Sequence, residues 1–117
     1  MKKVFFLKTC NTCRRIMQPL DLTGWDVQEI SSQPVTEHEL EDLHRLSGSY
    51  EALFNKRSMQ IRERGLDVKS LSEIDFKKLL LEHYSFLKRP VFVDGNHIFI
   101  GNERANLEKL NAFLHVK

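Results

Sequence analysis

"KVFFLKTCNTCRRIM", Lys3 to Met17, sets the reading of the chain. Its first residues, Lys3 to Leu7, form a short apolar run bounded by polar residues, and that length predicts a buried strand rather than a helix. The period then changes. Cys13, Ile16, Met17 and Leu20 are spaced i, i+3, i+4, i+7, which is one face of a helix. Pro19 would remove a backbone hydrogen bond within that helix, so the helix is expected to bend or loosen near Gln18. Gly24 closes the segment, and "WDVQEI", Trp25 to Ile30, alternates as a second strand. A strand, helix and strand this close together require parallel pairing with a right-handed crossover.

Beyond this unit "SSQPV" is a loop. In "TEHELEDLHRL", Thr36 and Glu39 suit a capping box, and Leu40, Leu43 and Leu46 form a stripe. "YEALFNKRSMQIRERG" reads as two short helical pieces with Arg57 near their joint. Ser70 and Glu73 suit a second capping box, followed by an apolar stripe through Ile74 and the leucines of a helix ending near His83. "RPVFVDGNHIFIG" is the clearest hairpin, with Asp94-Gly95-Asn96 at its turn. Asn102 can cap a last helix that faces the core with Leu107, Leu110, Phe113 and Leu114. The order is β-α-β, an all-helical middle, then α-β-β-α. The expected class is therefore α/β with a thioredoxin-like fold, a single domain over residues 1–117, with a helical insertion at about 36–70.

Composition narrows the function. A chain of 117 residues fits one domain. A net charge of +2 is too small to imply direct nucleic-acid binding. No apolar run approaches the roughly 18–20 residues that span a bilayer. "MKKVFFLKTC" has the lysines of a signal peptide, but its apolar core is only "VFFL" and no cleavage site follows, so a cytoplasmic chain with no membrane partner is expected. With no large apolar surface evident, a monomer is expected. The two cysteines cannot form the disulfide framework of a small secreted protein, and the five scattered histidines give no zinc spacing. Cys-x-x-Cys between a strand and a helix reads as a redox motif.

Cys10 falls where strand gives way to helix. Unpaired backbone N–H groups and the positive end of the helix dipole favour its thiolate there. Arg14 lies four residues on, on the same helical face. Cys13 belongs to the apolar stripe and should point inward. On its own it would read as core, but at this spacing it reads as a resolving thiol for a nucleophilic Cys10. Arg89-Pro90 precedes the hairpin. Proline is permitted at the first residue of a strand, but in the thioredoxin plan a cis-proline stands here, opposite the cysteine helix, which would bring Arg89 near Cys10.

"CNTCRR", "NKRSMQIRERGLDVKSL", "LLLEHYSFLKRPVFVD" and "IFIGNE" resemble, in that order, the arsenate reductase (ArsC)/Spx family, over Lys3 to Leu114. The resemblance implies a thioredoxin-like fold with a helical insertion. For the reductases it implies Cys10 as nucleophile on arsenate, a small oxyanion, or on a thiol or disulfide substrate. Arg14, Arg57 and Arg89 would bind the oxyanion, with Pro90 as the cis-proline; Asn55 aligns about as well as Arg57. No bound cofactor or metal is implied; glutathione, or a glutaredoxin or thioredoxin, would be the external reductant. For the Spx-type regulators the resemblance implies a Cys10–Cys13 redox switch and a partner in the C-terminal domain of the RNA polymerase α subunit. The reductases carry a further arginine after the hairpin, where this chain has Gly101 and Asn102.

Overall fold

The computed structural model describes residues 2–115. The chain forms two compact units, one taking in the chain up to Ser31 and from Arg89 onward, the other Ser32–Lys88.

The first unit holds a four-stranded sheet of β1 (Lys2–Phe6), β2 (Asp26–Glu29), β3 (Val91–Asp94) and β4 (His97–Ile100). Its order is β2-β1-β3-β4. The β1–β2 pair is parallel, as the crossover requires, and the other two pairs are antiparallel. Register places Val27, Val4, Phe92 and Phe99 in one row across the sheet. Val4, Phe92 and Phe99 pack with Leu110 into a core. Ile16, Met17, Leu20, Leu22 and Trp25 surround it, and Trp25 meets the Phe92 ring edge-on at 5.7 Å. Phe5, Val91 and Val93 have the opposite parity and are buried as well. Burial on both faces explains why "VFF" and "VFV" run without polar alternation. Val27, on the edge strand, remains 44% exposed.

Helix α1 (Asn11–Met17) ends at Gln18 instead of bending through Pro19. The Leu20 N–H turns back to the Met17 carbonyl at 3.0 Å, so Leu20 reaches the core from beyond the helix. The hairpin turn is Gly95-Asn96, with Gly95 at φ 62°. A positive φ at the first turn position matches the twist of the flanking strands and suits glycine. The last helix, Arg104–His115, starts one residue too late for Asn102 to cap it. Its entry is held instead by the Asn106 side chain, which donates to the Gly101 carbonyl at 2.8 Å. Leu110 is its fully buried residue, with Phe113 and Leu114 packed against the same core.

The second unit is helical. It comprises α2 (Glu37–Ser47), a 3-10 turn (Glu51–Leu53), α3 (Met59–Glu63), a second 3-10 turn (Val68–Ser70), α4 (Glu73–Glu82) and a third turn (Tyr84–Phe86). The Thr36–Glu39 box is present, with side chain–backbone bonds of 3.1 and 3.0 Å. At α4 the box is Ser72 with Asp75, not Ser70 with Glu73. Ser70 bonds back to the Asp67 carbonyl. Both Glu73 carboxylate oxygens accept backbone N–H groups, from Tyr50 at 2.8 Å and Glu51 at 3.0 Å. The apolar face of α4 is rotated accordingly: Phe76, Leu79 and Leu80 are buried, and Ile74 is 67% exposed. Phe54 stacks on Phe86 at 5.2 Å and meets Phe76 at 4.8 Å. That aromatic contact is why the unit extends past the 36–70 insertion expected from sequence and takes in α4.

Candidate thiol site

Cys10 occupies the N-cap of α1 in extended backbone (φ −90°, ψ 109°). Its N–H bonds to the Leu7 carbonyl at 3.0 Å, and its carbonyl accepts Arg14 N–H at 3.2 Å, which sets the start of the helix. The apolar strand stops at Phe6 because the chain must turn here, and the turn lifts Cys10 to a partly exposed position. Cys13, in the first turn of the helix, is fully buried. Both cysteines carry free thiols.

The two sulfurs sit in opposed environments. Burial pushes the Cys10 thiol up, but the Cys13 N–H, the Cys13 thiol and the Arg89 guanidinium together outweigh it and hold Cys10 below the ordinary thiol range. Cys10 makes no capping bond to its own helix through its side chain. The Cys13 groups act by favouring its charge. Burial raises Cys13 to about 12; the Leu7 N–H opposes this, while the charge of Cys10 adds to it. The site therefore pairs one thiol shifted toward its ionised form with one that keeps its proton at neutral pH.

Arg89 enters from the far end of the chain, just before β3. The Arg89–Pro90 peptide bond is cis, Pro90 is buried, and its carbonyl accepts the Gly101 N–H at 2.9 Å. Cys10, Cys13 and Arg89 thus come together in the first unit. Arg14 does not join them in the same way. It is exposed, and its guanidinium donates to Asn11 Oδ1 at 2.9 Å. Asn11 escaped the sequence reading, although the i, i+3 spacing of Asn and Arg in a first helical turn is a signal for such a bond. Arg57 lies in the second unit, exposed, between the first 3-10 turn and α3, with its N–H on Asn55 Oδ1 at 3.0 Å. Asn55 is committed to holding this loop, since its amide also donates to the Ser85 carbonyl at 3.1 Å. Among the described residues no group of three or more His, Cys, Asp or Glu is arranged to hold a metal ion.

Arg89→Ala should raise the Cys10 pKa, because the charge that favours the thiolate is removed. Alkylation by iodoacetamide at pH 7 should slow about two- to fivefold, a modest factor because the site is open to solvent. The loss should vanish at alkaline pH, where Cys10 ionises in either chain. An unchanged rate-against-pH profile would contradict the role given to Arg89.

A family model described as the ArsC family matches residues 5–110. The chain belongs to the ArsC family. It is 30% identical over 110 residues to the uncharacterised protein YusI of Bacillus subtilis (strain 168), covering 90% of this chain and 93% of that one. It is 30% identical over 118 residues to the global transcriptional regulator Spx 2 of Bacillus anthracis, covering 97% of this chain and 87% of that one. The arsenate reductase structure from Vibrio cholerae superposes with a TM-score of 0.74 at 18% identity, covering 94% of this chain and 95% of the other, a likeness of fold alone. The fold is the thioredoxin-like fold of ArsC proteins. Among the described residues no helix is long and apolar enough to cross a membrane.

Proposed function

We propose that this ArsC-family chain is a cytoplasmic thiol oxidoreductase in which the Cys10 thiolate is the nucleophile. One observation carries the reading. A partly exposed cysteine at the start of a helix has the Arg89 guanidinium and the Cys13 N–H and thiol beside it, all of which favour its thiolate. That is the arrangement covalent catalysis by an activated thiol needs, with positive charge placed in advance for an anionic substrate. With arsenate, the Cys10 sulfur bonds to arsenic and one water leaves. A second thiol then completes the two-electron reduction, so that arsenate and two thiols give arsenite, a disulfide and water. With a disulfide substrate, Cys10 displaces one thiolate and forms a mixed disulfide. Arg89 and Arg14, both in the first unit, are the candidate oxyanion donors. The intermediate is released by Cys13 or by an external thiol, with glutathione, glutaredoxin or thioredoxin restoring the reduced protein.

The test is NADPH consumption in the presence of glutathione, glutaredoxin and glutathione reductase, with arsenate or a small disulfide as substrate. Turnover above the protein-free rate with either substrate is the expected result. Absence of turnover with both would overturn the reading.

The similarity to Spx 2 over 97% of the chain supports a second reading, a redox-sensing regulator whose Cys10–Cys13 pair controls binding to the C-terminal domain of the RNA polymerase α subunit. Capture by that domain, compared between oxidised and reduced chains, tests it. No complex in either state would end it.

A further inference from the structure

We infer that Glu29 is a positioning residue for the thiol site: its carboxylate grips the turn that carries Cys10 and so holds Cys10 beside Arg89. The proposal rests on the reading of Cys10 as the nucleophile.

Topology brings the three residues to one end of the sheet. Strands β1 and β2 are parallel and finish together, with Phe6 paired to Glu29. Strand β3 runs the other way, pairs Val91 with Phe5, and so begins where β1 finishes. Cys10 follows the end of β1, Glu29 closes β2, and Arg89 stands just before β3. Alternation along β2 puts Glu29 on the same side as Val27 and its partner Val4. That is the side on which α1 packs, through Ile16 and Met17. All these residues belong to the first unit.

The link between β1 and α1 is a β-turn from Leu7 to Cys10, closed by the Cys10 N–H on the Leu7 carbonyl at 3.0 Å. Leu7 is buried, whereas Lys8 and Thr9 are exposed. Packing therefore fixes the entrance of the turn and leaves its middle without support. Glu29 supplies that support. Its Oε2 accepts the Lys8 N–H at 3.0 Å, from a residue 21 positions away. Its Oε1 accepts the Ser31 hydroxyl at 2.7 Å, which fixes the orientation of the carboxylate. The Ile30 N–H on the Phe6 carbonyl, at 2.9 Å, ties the two strand ends together between these bonds. A charged acceptor makes the Lys8 bond stronger than a neutral one would. Reactive groups need placement to about half an ångström, and that precision comes from the bonds behind them. Arg89 is placed by the pairing of β3. Cys10 is placed by the turn, and the side chain that grips the middle of the turn is Glu29.

The test is iodoacetamide alkylation of Cys10 against pH, read by mass spectrometry, with hydrogen exchange of the Lys8 amide as a direct report on the clamp. The chains compared are wild type, Glu29→Ala, Glu29→Gln, Arg89→Ala and the double variant Glu29→Ala with Arg89→Ala. Glu29→Ala should move the alkylation profile to higher pH and slow the reaction at pH 7 about two- to threefold, since Cys10 drifts from its cation in a site open to solvent. Lys8 exchange should quicken in the same chain. Glu29→Gln keeps an oxygen for the Lys8 N–H and should restore most of both. The double variant should react no more slowly than Arg89→Ala alone, because no cation remains for the turn to hold Cys10 against. Unchanged alkylation or unchanged Lys8 exchange in Glu29→Ala overturns the proposal. So does a glutamine variant no better than the alanine one, or losses that simply add in the double variant. Each of these leaves Cys10 as the nucleophile. A wild-type Cys10 that alkylates no faster than free cysteine overturns the reading of the thiol itself, and the proposal with it.

Discussion

Cys10→Ser should abolish turnover and at the same time make the chain more stable. The two effects have one origin. A serine hydroxyl does not ionise near neutral pH, so the proposed nucleophile is lost outright, and removal of a catalytic nucleophile costs several orders of magnitude in kcat. Cys10, however, occupies the N-cap of α1 with cap-like backbone angles and makes no side-chain bond to the helix. Serine is among the best residues for that position, because its oxygen accepts an otherwise unpaired N–H of the first turn. A gained cap contributes about 0.5–1 kcal/mol. The coupled NADPH assay should therefore fall to the protein-free rate, and the urea midpoint should rise. Residual Cys10-independent turnover would remove Cys10 from the chemistry. A lower urea midpoint would contradict the account of the cap. With Cys10 as the proposed nucleophile, the site gives up a helix cap for a reactive sulfur, a common form of the trade between activity and stability.

Phe92→Ala should cost about 3–5 kcal/mol, a large fraction of the stability of a small domain. Phe92 is 1% exposed. It is paired between Val4 and Phe99 across the sheet, and Trp25 meets its ring edge-on. Little around it can collapse into the vacated space, since the flanking backbone is fixed by strand pairing on both sides. Urea unfolding followed by Trp25 fluorescence, the signal of the chain's single tryptophan, measures the loss. A cost below about 1 kcal/mol would mean that the sheet face is less tightly packed than its register implies. Because β3 directly follows Pro90, the same variant should also slow Cys10 alkylation by loosening the support of Arg89.

Elements specified by their own neighbours were legible in the sequence. The first strand, the start of α1 and the 94–97 turn follow from period and turn chemistry alone. The second capping box was misplaced because "SLSEID" offers two overlapping frames, each locally sufficient. The choice is made by Glu73, which is occupied with the Tyr50 and Glu51 N–H groups more than twenty residues away, and no local pattern carries that fact. Ile74 was misjudged for the same reason, since moving the start of the helix rotates its apolar face. At the site, helical spacing correctly put Arg14 and Cys10 on one side of α1. It could not foresee that a long flexible side chain would swing to Asn11. Arg89 had no periodic signal linking it to Cys10, because their proximity is created by the pairing of β1 with β3. Its identification came from the thioredoxin plan, in which a cis-proline stands opposite the cysteine helix, and from the family resemblance.

The division of the chain has a consequence for the order of synthesis. The second unit is continuous, Ser32–Lys88, whereas the first is assembled from the two ends of the chain around it. As the chain leaves the ribosome, the helical unit has all its parts before β3 exists. At that stage the nascent first unit has β1 and β2 but lacks the strand that pairs along the other edge of β1. The cysteines are made early and Arg89 late. Until that arginine emerges, a translating ribosome carries a Cys10 without its cation, so the charge that favours the Cys10 thiolate arrives only after the whole second unit has been made.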